Sequence, residues 1–248
     1  MHVSEWARAV KTEDFILGDE YLAEIYKYLY ERLRDMVDGM HDHGPIIEIG
    51  SGPGLVKYFI EGVITVDIDR AVRPDLCADA KYLPFPDGSV AGILMKDSLH
   101  HLPDVEKFLD EAQRILIDDG VIAIIDPYWG LLARFVYKYI HQEKFDSSCP
   151  TWSFESSSPW DSNQALSFLI LRRDRDKLEQ QWQNFEIEEH CPLVGLSFLL
   201  SGGVSRRTSI PGNWLKKLFE WENRRGRWFD PFRFEYLYCL RKRSALQR

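Results

Sequence analysis

The sequence predicts an α/β fold, and three observations predict it. The apolar run Ile46-Ile47-Glu48-Ile49 stops at glycines spaced alternately, Gly50, Gly52 and Gly54. Further short apolar runs, Val63–Val66, Val90–Met95 and Val121–Ile125, follow it in order. Between the last two lies a segment with helical spacing: Phe108, Leu109, Ala112, Ile115 and Leu116 share one face from about 105 to 116. Short buried strands alternating with helices are the pattern of a sheet covered on both faces.

The first run reads as a buried strand breaking into a tight turn, where glycines let a ligand approach bare backbone. Residues Leu55 to Ile60 can start a helix whose N-terminal amides face the same ligand. A dinucleotide-binding loop has the spacing G-x-G-x-x-G. Here its third glycine position is Leu55, and the third glycine comes one residue early. The loop instead resembles motif I of the class I S-adenosylmethionine-dependent methyltransferases, roughly apolar-apolar-acid-apolar-G-x-G-x-G.

The following segments keep that resemblance in order. Val63–Asp69 reads as a second strand ending in acids. In the family this acid holds the ribose diol, which implies that role for Asp67, with Asp69 as the fallback. Ionised carboxylates are strong acceptors for such hydroxyls. Cys77 to Ser89 resembles the family's "D-A-x-x-L-P-F-x-D-x-S", in which the first Asp, here Asp79, accepts from the adenine amino group. The resemblance places Glu48, Gly50, Ser51, Gly52 and Gly54 in the methionine-side loop. It places Ile68 and Ala80 beside the two acids, and the Lys96 backbone against the cofactor's ammonium.

After the fourth strand, His100-His101-Leu102 matches the family's "H-H-L", and Glu111, Arg114 and Leu116 match the helix that follows. Two departures stand out. The usual Asp of "F-D-x-V" is Ala91, and Pro-Gly-Gly has become Asp118-Asp119-Gly120. Both fall on the scaffold. Strand five is expected at 121–126. The alternating runs 185–190 and 234–241 fit the family's sixth strand and its antiparallel seventh. The resemblance therefore implies a Rossmann-like, mostly parallel seven-stranded sheet of order 3-2-1-4-5-7-6, with S-adenosylmethionine as cofactor. It covers about residues 45–130 well and is topological beyond them.

At 248 residues, 45% of them hydrophobic, the chain suits one domain with insertions. Residues 1–42 are expected to be helical and to cap the cofactor cleft or pack on the sheet, with 45–130 as the cofactor-binding core. Two segments, 127–184 and 193–231, lie outside the minimal fold. Insertions there emerge beyond the carboxyl ends of strands, where ligands bind, and are expected to shape the acceptor pocket. Their aromatic content suits a ring-containing or apolar small molecule and equally an ordinary core.

The 31 basic and 39 acidic residues give a net charge of −8, so no overall field attracts nucleic acid or anionic membrane. The basic clusters 206–207, 224–227 and 241–243 read as solvated faces. No secretory signal or spanning segment is apparent, since the longest apolar stretch of the C-terminal half, Pro192 to Leu200, is too short. Four scattered cysteines without a C-x-x-C pair suggest reduced thiols in a cytoplasmic protein, without a zinc site, and no metal is expected.

Methyl transfer from a sulfonium is an in-line displacement in which the protein positions the nucleophile and excludes water. A base is needed only if the acceptor must lose a proton. His101 is expected to contact the substrate and to be that base, against a neutral His hydrogen-bonded in its loop. Asp126-Pro127-Tyr128-Trp129 superficially resembles the "D-P-P-Y" of amino-methylating DNA enzymes, but it follows strand five and lacks the second Pro, so it reads as a structural turn. Arg206 and Arg207 could grip an anionic acceptor. The rival readings are a nicotinamide-dependent oxidoreductase, which Leu55 and the Asp79 and His-His segments disfavour, and a non-catalytic cofactor-binding module.

Overall fold

The computed structural model describes residues 12–140, 143–156, 158, 161–203 and 208–244. Seven strands form one sheet: β1 (Ile46–Ile49), β2 (Val63–Asp67), β3 (Leu76–Cys77), β4 (Val90–Lys96), β5 (Leu116–Pro127), β6 (Phe185–Pro192) and β7 (Glu235–Lys242). Their order is 3-2-1-4-5-7-6. Strands β1 to β5 are mutually parallel, and β7 runs antiparallel between β5 and β6. The order and the antiparallel seventh strand agree with the sequence expectation.

Strand alternation assigns each apolar residue to a face. Ile46, Leu94, Val121, Ala123, Ile125, Leu237 and Cys239 point to one side. That side is covered by α1 (Glu20–Val37), whose Tyr21, Leu22, Ile25, Leu29 and Leu33 recur at helical spacing. The helix begins where Asp19 Oδ1 accepts from the Tyr21 and Leu22 amides, a normal N-cap. Ile47, Ile49, Ile93, Met95, Ile122, Ile124 and Leu240 point the other way. They meet α2 (Val105–Ile115), capped by Asp104. The described part of 1–42 thus packs on the sheet. Two of its tyrosines still reach the carboxyl ends of the strands.

Two elements differ from expectation. The helix expected at 55–60 is a 3-10 turn, Leu55–Tyr58. Only residues 55–62 connect Gly54 to β2, which leaves room for one turn. Strand β5 begins at Leu116, five residues early, and a register irregularity opposite Val90 and Gly92 absorbs the extra length. Asp119, where the family carries Gly, takes a left-handed φ of 62°, a conformation Asp tolerates better than most residues. The aromatic helix expected from Leu131 to Ile140 is present as α3 (Leu131–Tyr139), and a short helix α4 (Arg175–Gln181) follows within the same insertion. The second insertion folds into α5 (Leu196–Ser201) and α6 (Gly212–Arg224), and α6 lays Leu215 and Phe219 in the core beneath α1.

Trp152, expected to shape the acceptor pocket, is instead fully buried core. It stacks on Trp182 at 5.7 Å and donates its Nε1–H to Asp174 Oδ2 at 2.9 Å. Trp160 and the Arg206-Arg207 pair lie outside the described residues.

Candidate active site

The glycine loop closes by backbone bonds to β2. The amides of Gly50 and Ser51 both donate to the Val66 carbonyl, and Gly54 N–H donates to Ser51 O. All three glycines have positive φ, at 67°, 49° and 77°, yet they differ in what a side chain would meet. A Cβ on Gly50 would lie 2.5 Å from Ser98 Cβ, so the fold itself requires glycine there. A Cβ on Gly52 would meet nothing within 4 Å. The space beside Gly52 is therefore open, unlike that beside Gly50.

Two polar atoms of β1 and its loop lack partners. Ser51 Oγ is buried with no hydrogen-bond partner among the described residues, and so is Glu48 Oε2. Glu48 Oε1 accepts from the Tyr30 hydroxyl at 3.0 Å, which ties α1 to the site. Burial pushes the Glu48 carboxyl up to about 8, against the Tyr30 hydrogen bond and the nearby Lys96 charge. Buried orphans of this kind are uncommon, because each costs its desolvation. A ligand that carries a cation and a hydroxyl or carboxylate would satisfy them. The methionyl end of S-adenosylmethionine has both an ammonium and a carboxylate, so these residues fit it.

Asp67 ends β2, with both carboxylate oxygens on backbone amides: Gly52 N–H at 2.9 Å and Asp69 N–H at 2.9 Å. It couples the glycine loop to the β2 end and retains lone pairs for further donors. Burial raises its pKa, and these amide bonds oppose the rise. Asp69 is spent differently, with Oδ1 capping the Arg70–Val72 turn through Ala71 N–H at 2.8 Å. That division favours Asp67 over the fallback. The pairing of β2 with β3 sets Asp67 opposite Cys77, two residues before Asp79. Asp79 accepts from Lys81 N–H and sits in reach of the Lys81 ammonium at 3.4 Å. Ala80 is buried, while Ile68 is 56% exposed beside the two acids. An exposed isoleucine there offers an apolar face to a planar base.

Lys96 ends β4 with its side chain buried on the α1 side of the sheet. It pairs with Asp97 and lies 3.9 Å from Glu235, with its ammonium 5.4 Å from the Tyr26 ring centre. Burial works against its charge, but Asp97 and Glu235 prevail and raise its pKa. Asp97 has a left-handed φ of 52°, a strained turn with no signal in the residues around it.

The 3-10 turn Leu99–His101 then presents both histidines on one side, ring centres 4.3 Å apart. His100 Nδ1 sits 2.7 Å from Asp126 Oδ1 at the end of β5, and Ser167 Oγ donates to Asp126 Oδ2 at 2.8 Å. Burial opposes charge on His100, but Asp126 and Glu143 overcome it and hold the ring up to about 10. His101 is half-buried, with Nδ1 3.2 Å from the Asp161 carbonyl. Burial and the neighbouring His100 push it below the usual imidazole value. Asp126 ends its strand as expected and also orients His100. Tyr128 and Trp129 pack on Tyr236, with ring centres 5.3 and 5.1 Å away. Sequence reading missed Asp126 as a functional partner, and missed Glu143, Gln164 and Ser167 altogether. Only the acid at the end of β5 carried any local signal.

A surface hollow of about 660 Å³ lies elsewhere, lined by Lys57, Phe59, Val63 and Asp75 at the amino ends of β2 and β3. The loop, both acids and the histidines gather at the opposite, carboxyl ends, where open α/β sheets bind ligands.

The fold and this loop define a nucleotide-binding α/β protein of the methyltransferase topology. Residues 47–124 match the family described as "Methyltransferase domain". A SAM-dependent methyltransferase from Archaeoglobus fulgidus superposes with a TM-score of 0.51 at 19% identity, covering 93% of this chain and 97% of that one. The YcgJ protein of Bacillus subtilis gives 0.45 at 18% identity, over 82% of this chain and 93% of the other. Geranyl diphosphate C-methyltransferase from Streptomyces coelicolor A3(2) gives 0.47 at 17%, over 94% and 87%. The domain match, within this sheet order and glycine loop, supports a place among the class I S-adenosylmethionine-dependent methyltransferases. No helix among the described residues is long and apolar enough to cross a membrane.

Proposed function

We propose that this chain transfers the methyl group of S-adenosylmethionine to a small-molecule acceptor held beyond β4 and β5. The observation that carries the reading is the open Gly52 cradle, bordered by the orphaned Ser51 Oγ and Glu48 Oε2 and tied to Asp67. Glu48, Ser51 and the glycine loop hold the methionyl end, assisted by the Lys96 backbone. Asp67 holds the ribose diol. Asp79 accepts from the adenine amino group, with Ile68 and Ala80 against the ring.

The cofactor supplies an activated carbon. An acceptor lone pair forms the new bond to that carbon while the carbon–sulfur pair returns to sulfur, releasing S-adenosylhomocysteine. The protein's share is alignment and exclusion of water. If the acceptor carries a proton, His101 takes it. Its Nδ1–H is engaged by the Asp161 carbonyl, which leaves the Nε2 lone pair available, and its depressed pKa keeps the ring neutral near pH 7. The segments 127–184 and 193–231 choose the acceptor, while 1–42 braces the cofactor end through Tyr30 and Tyr26. The single-domain organisation, a cytoplasmic setting and the absence of a nucleic-acid partner belong to this reading.

Incubation with S-adenosylmethionine and fractionated small-molecule extracts tests it. S-adenosylhomocysteine should accumulate only with particular fractions. Tight S-adenosylhomocysteine binding with no turnover on any fraction would favour the non-catalytic module.

A further inference from the structure

We infer that His100, His101 and Glu143 form a binding site for one divalent transition-metal ion. The ligand atoms of the three side chains lie within 4.8 Å of one another. Glu143 Oε2 is 3.5 Å from His100 Nε2 and 4.0 Å from His101 Nε2. Donors bound at about 2.1 Å in a tetrahedral set sit about 3.4 Å apart. The first pair already has that spacing, and the second needs a closure of roughly half an ångström.

The surroundings of the two rings argue the same way. Each Nδ1 is held by an oxygen acceptor, His100 by Asp126 and His101 by the Asp161 carbonyl. With a metal bound, both rings carry their outer proton on Nδ1 and turn Nε2 toward the same carboxylate; His100 then gives up the proton it holds in the metal-free protein, and His101 Nε2 is a ligand in place of a base. That is the arrangement of metal-ligating histidines, whose second nitrogen is fixed by a carboxylate or backbone carbonyl. Asp126 is itself fixed by Ser167, which in turn meets the Tyr238 hydroxyl at 3.2 Å. This chain of buried partners runs back into the sheet and makes the His100 position rigid.

A further atom points into the cluster. Gln164 is 5% exposed, its Nε2 lies 2.6 Å from Glu143 Oε2 and 3.5 Å from His100 Nε2, and its Oε1 has no partner among the described residues. Amide oxygen and nitrogen exchange places with little change in shape. As it stands, the amide steadies the Glu143 carboxylate through Nε2; turned, it would offer Oε1 as a fourth donor to a cation held by the other three side chains.

Two imidazoles and one carboxylate suit zinc, iron(II), cobalt(II) or manganese(II) and not the all-oxygen preference of calcium and magnesium. The site needs no cysteine, which is why thiol spacing gave no sign of it. His100 is buried, whereas the His101 and Glu143 side chains are 24% and 34% exposed. The remaining coordination positions therefore open outward, past the end of β4, where an oxygen or nitrogen donor of a small molecule can enter.

The full-length protein, stripped with a chelator, is titrated with zinc and with cobalt(II), read by calorimetry and by visible absorption. One equivalent should bind with a Kd of 10 µM or tighter, and cobalt should give the visible d–d bands of nitrogen coordination. Glu143→Gln and His101→Ala should each weaken binding at least 30-fold, and Asp126→Asn about 10–100-fold. Circular dichroism and S-adenosylhomocysteine affinity, unchanged in Glu143→Gln, show that the fold and the cofactor end are intact. Failure to bind one equivalent at 100 µM metal, or binding that survives both ligand substitutions, would overturn the site. Neither result touches the cofactor reading, which the S-adenosylhomocysteine titration tests separately.

Discussion

The two ends of the proposed active site are built in opposite ways. At the cofactor end, β1, its loop and the β2 terminus are consecutive in the chain, and the loop closes on β2 through backbone bonds. At the acceptor end, His100 meets Asp126, Glu143 and Gln164, residues 26, 43 and 64 positions away. The first needs short-range geometry and empty space. The second needs β5 and the 127–184 insertion to be folded before its charges find one another. A site of the first kind is read off a motif, and one of the second kind only from packing. Substitutions separate the two ends, because each should damage one function and spare the other.

The largest effect should come from Gly52→Val. Its φ of 49° and the open space beside it mean that a branched side chain both strains the loop and fills the ligand's volume. S-adenosylhomocysteine binding should vanish from calorimetry while circular dichroism stays unchanged. Unaltered affinity would remove this loop from the cofactor site.

His101→Ala probes the other end. Turnover should fall about 10²–10⁴-fold if the ring is a general base. Cofactor affinity should stay within about threefold, roughly 0.65 kcal/mol. Full activity in the variant returns His101 to a purely structural role. The wild-type rate should also rise through a pKa below 6.5, the direction in which burial and His100 push this ring, and the variant should lack that limb.

Trp152→Ala separates scaffold from pocket within the first insertion. The ring is fully buried against Trp182, so the expected loss is about 3–5 kcal/mol of stability, read by denaturant unfolding. An altered acceptor preference at unchanged stability would place the residue back in the pocket.

Asp67→Ala should weaken cofactor binding by about 1.5–3 kcal/mol, the range for hydrogen bonds to a charged group. Asp69→Ala should cost much less, because its oxygen serves the following turn. The reverse ranking would shift the ribose contact by two residues.

The smallest effect is a proton. Burial pushes the Glu48 carboxyl from its usual 4.5 up to about 8, which favours the neutral acid near pH 7. An arriving ammonium favours the carboxylate, so binding at pH 7 should release up to one proton. The apparent binding enthalpy should then vary with the buffer's ionisation enthalpy, and Glu48→Gln should abolish that variation. The sign for stability follows from the same shift. An acid raised on folding costs nothing below 4.5 and progressively more as pH climbs toward 8. Glu48→Gln should therefore melt above wild type at pH 8, with the difference shrinking toward pH 4.

The sheet order and the glycine turn were legible because each depends on residues near in sequence. Strand alternation, turn-forming glycine and a carboxylate at a strand end act over a few positions, and the sequence contains those positions whole. Helix length after Gly54 was misjudged because it is set by the distance back to β2. Trp152 was misplaced because aromatic content does not distinguish a pocket wall from a core; only burial against Trp182 and the bond to Asp174 does.

By itself, then, the sequence determined the α/β sheet and the glycine turn after its first strand, since local backbone conformation and periodicity fix both. Only the tertiary structure decided that His100 is a charged partner of Asp126, that His101 stays neutral beside it, and that Glu143 faces both. Those states arise from desolvation and from charges a few ångströms apart in space, and no spacing along the chain encodes either.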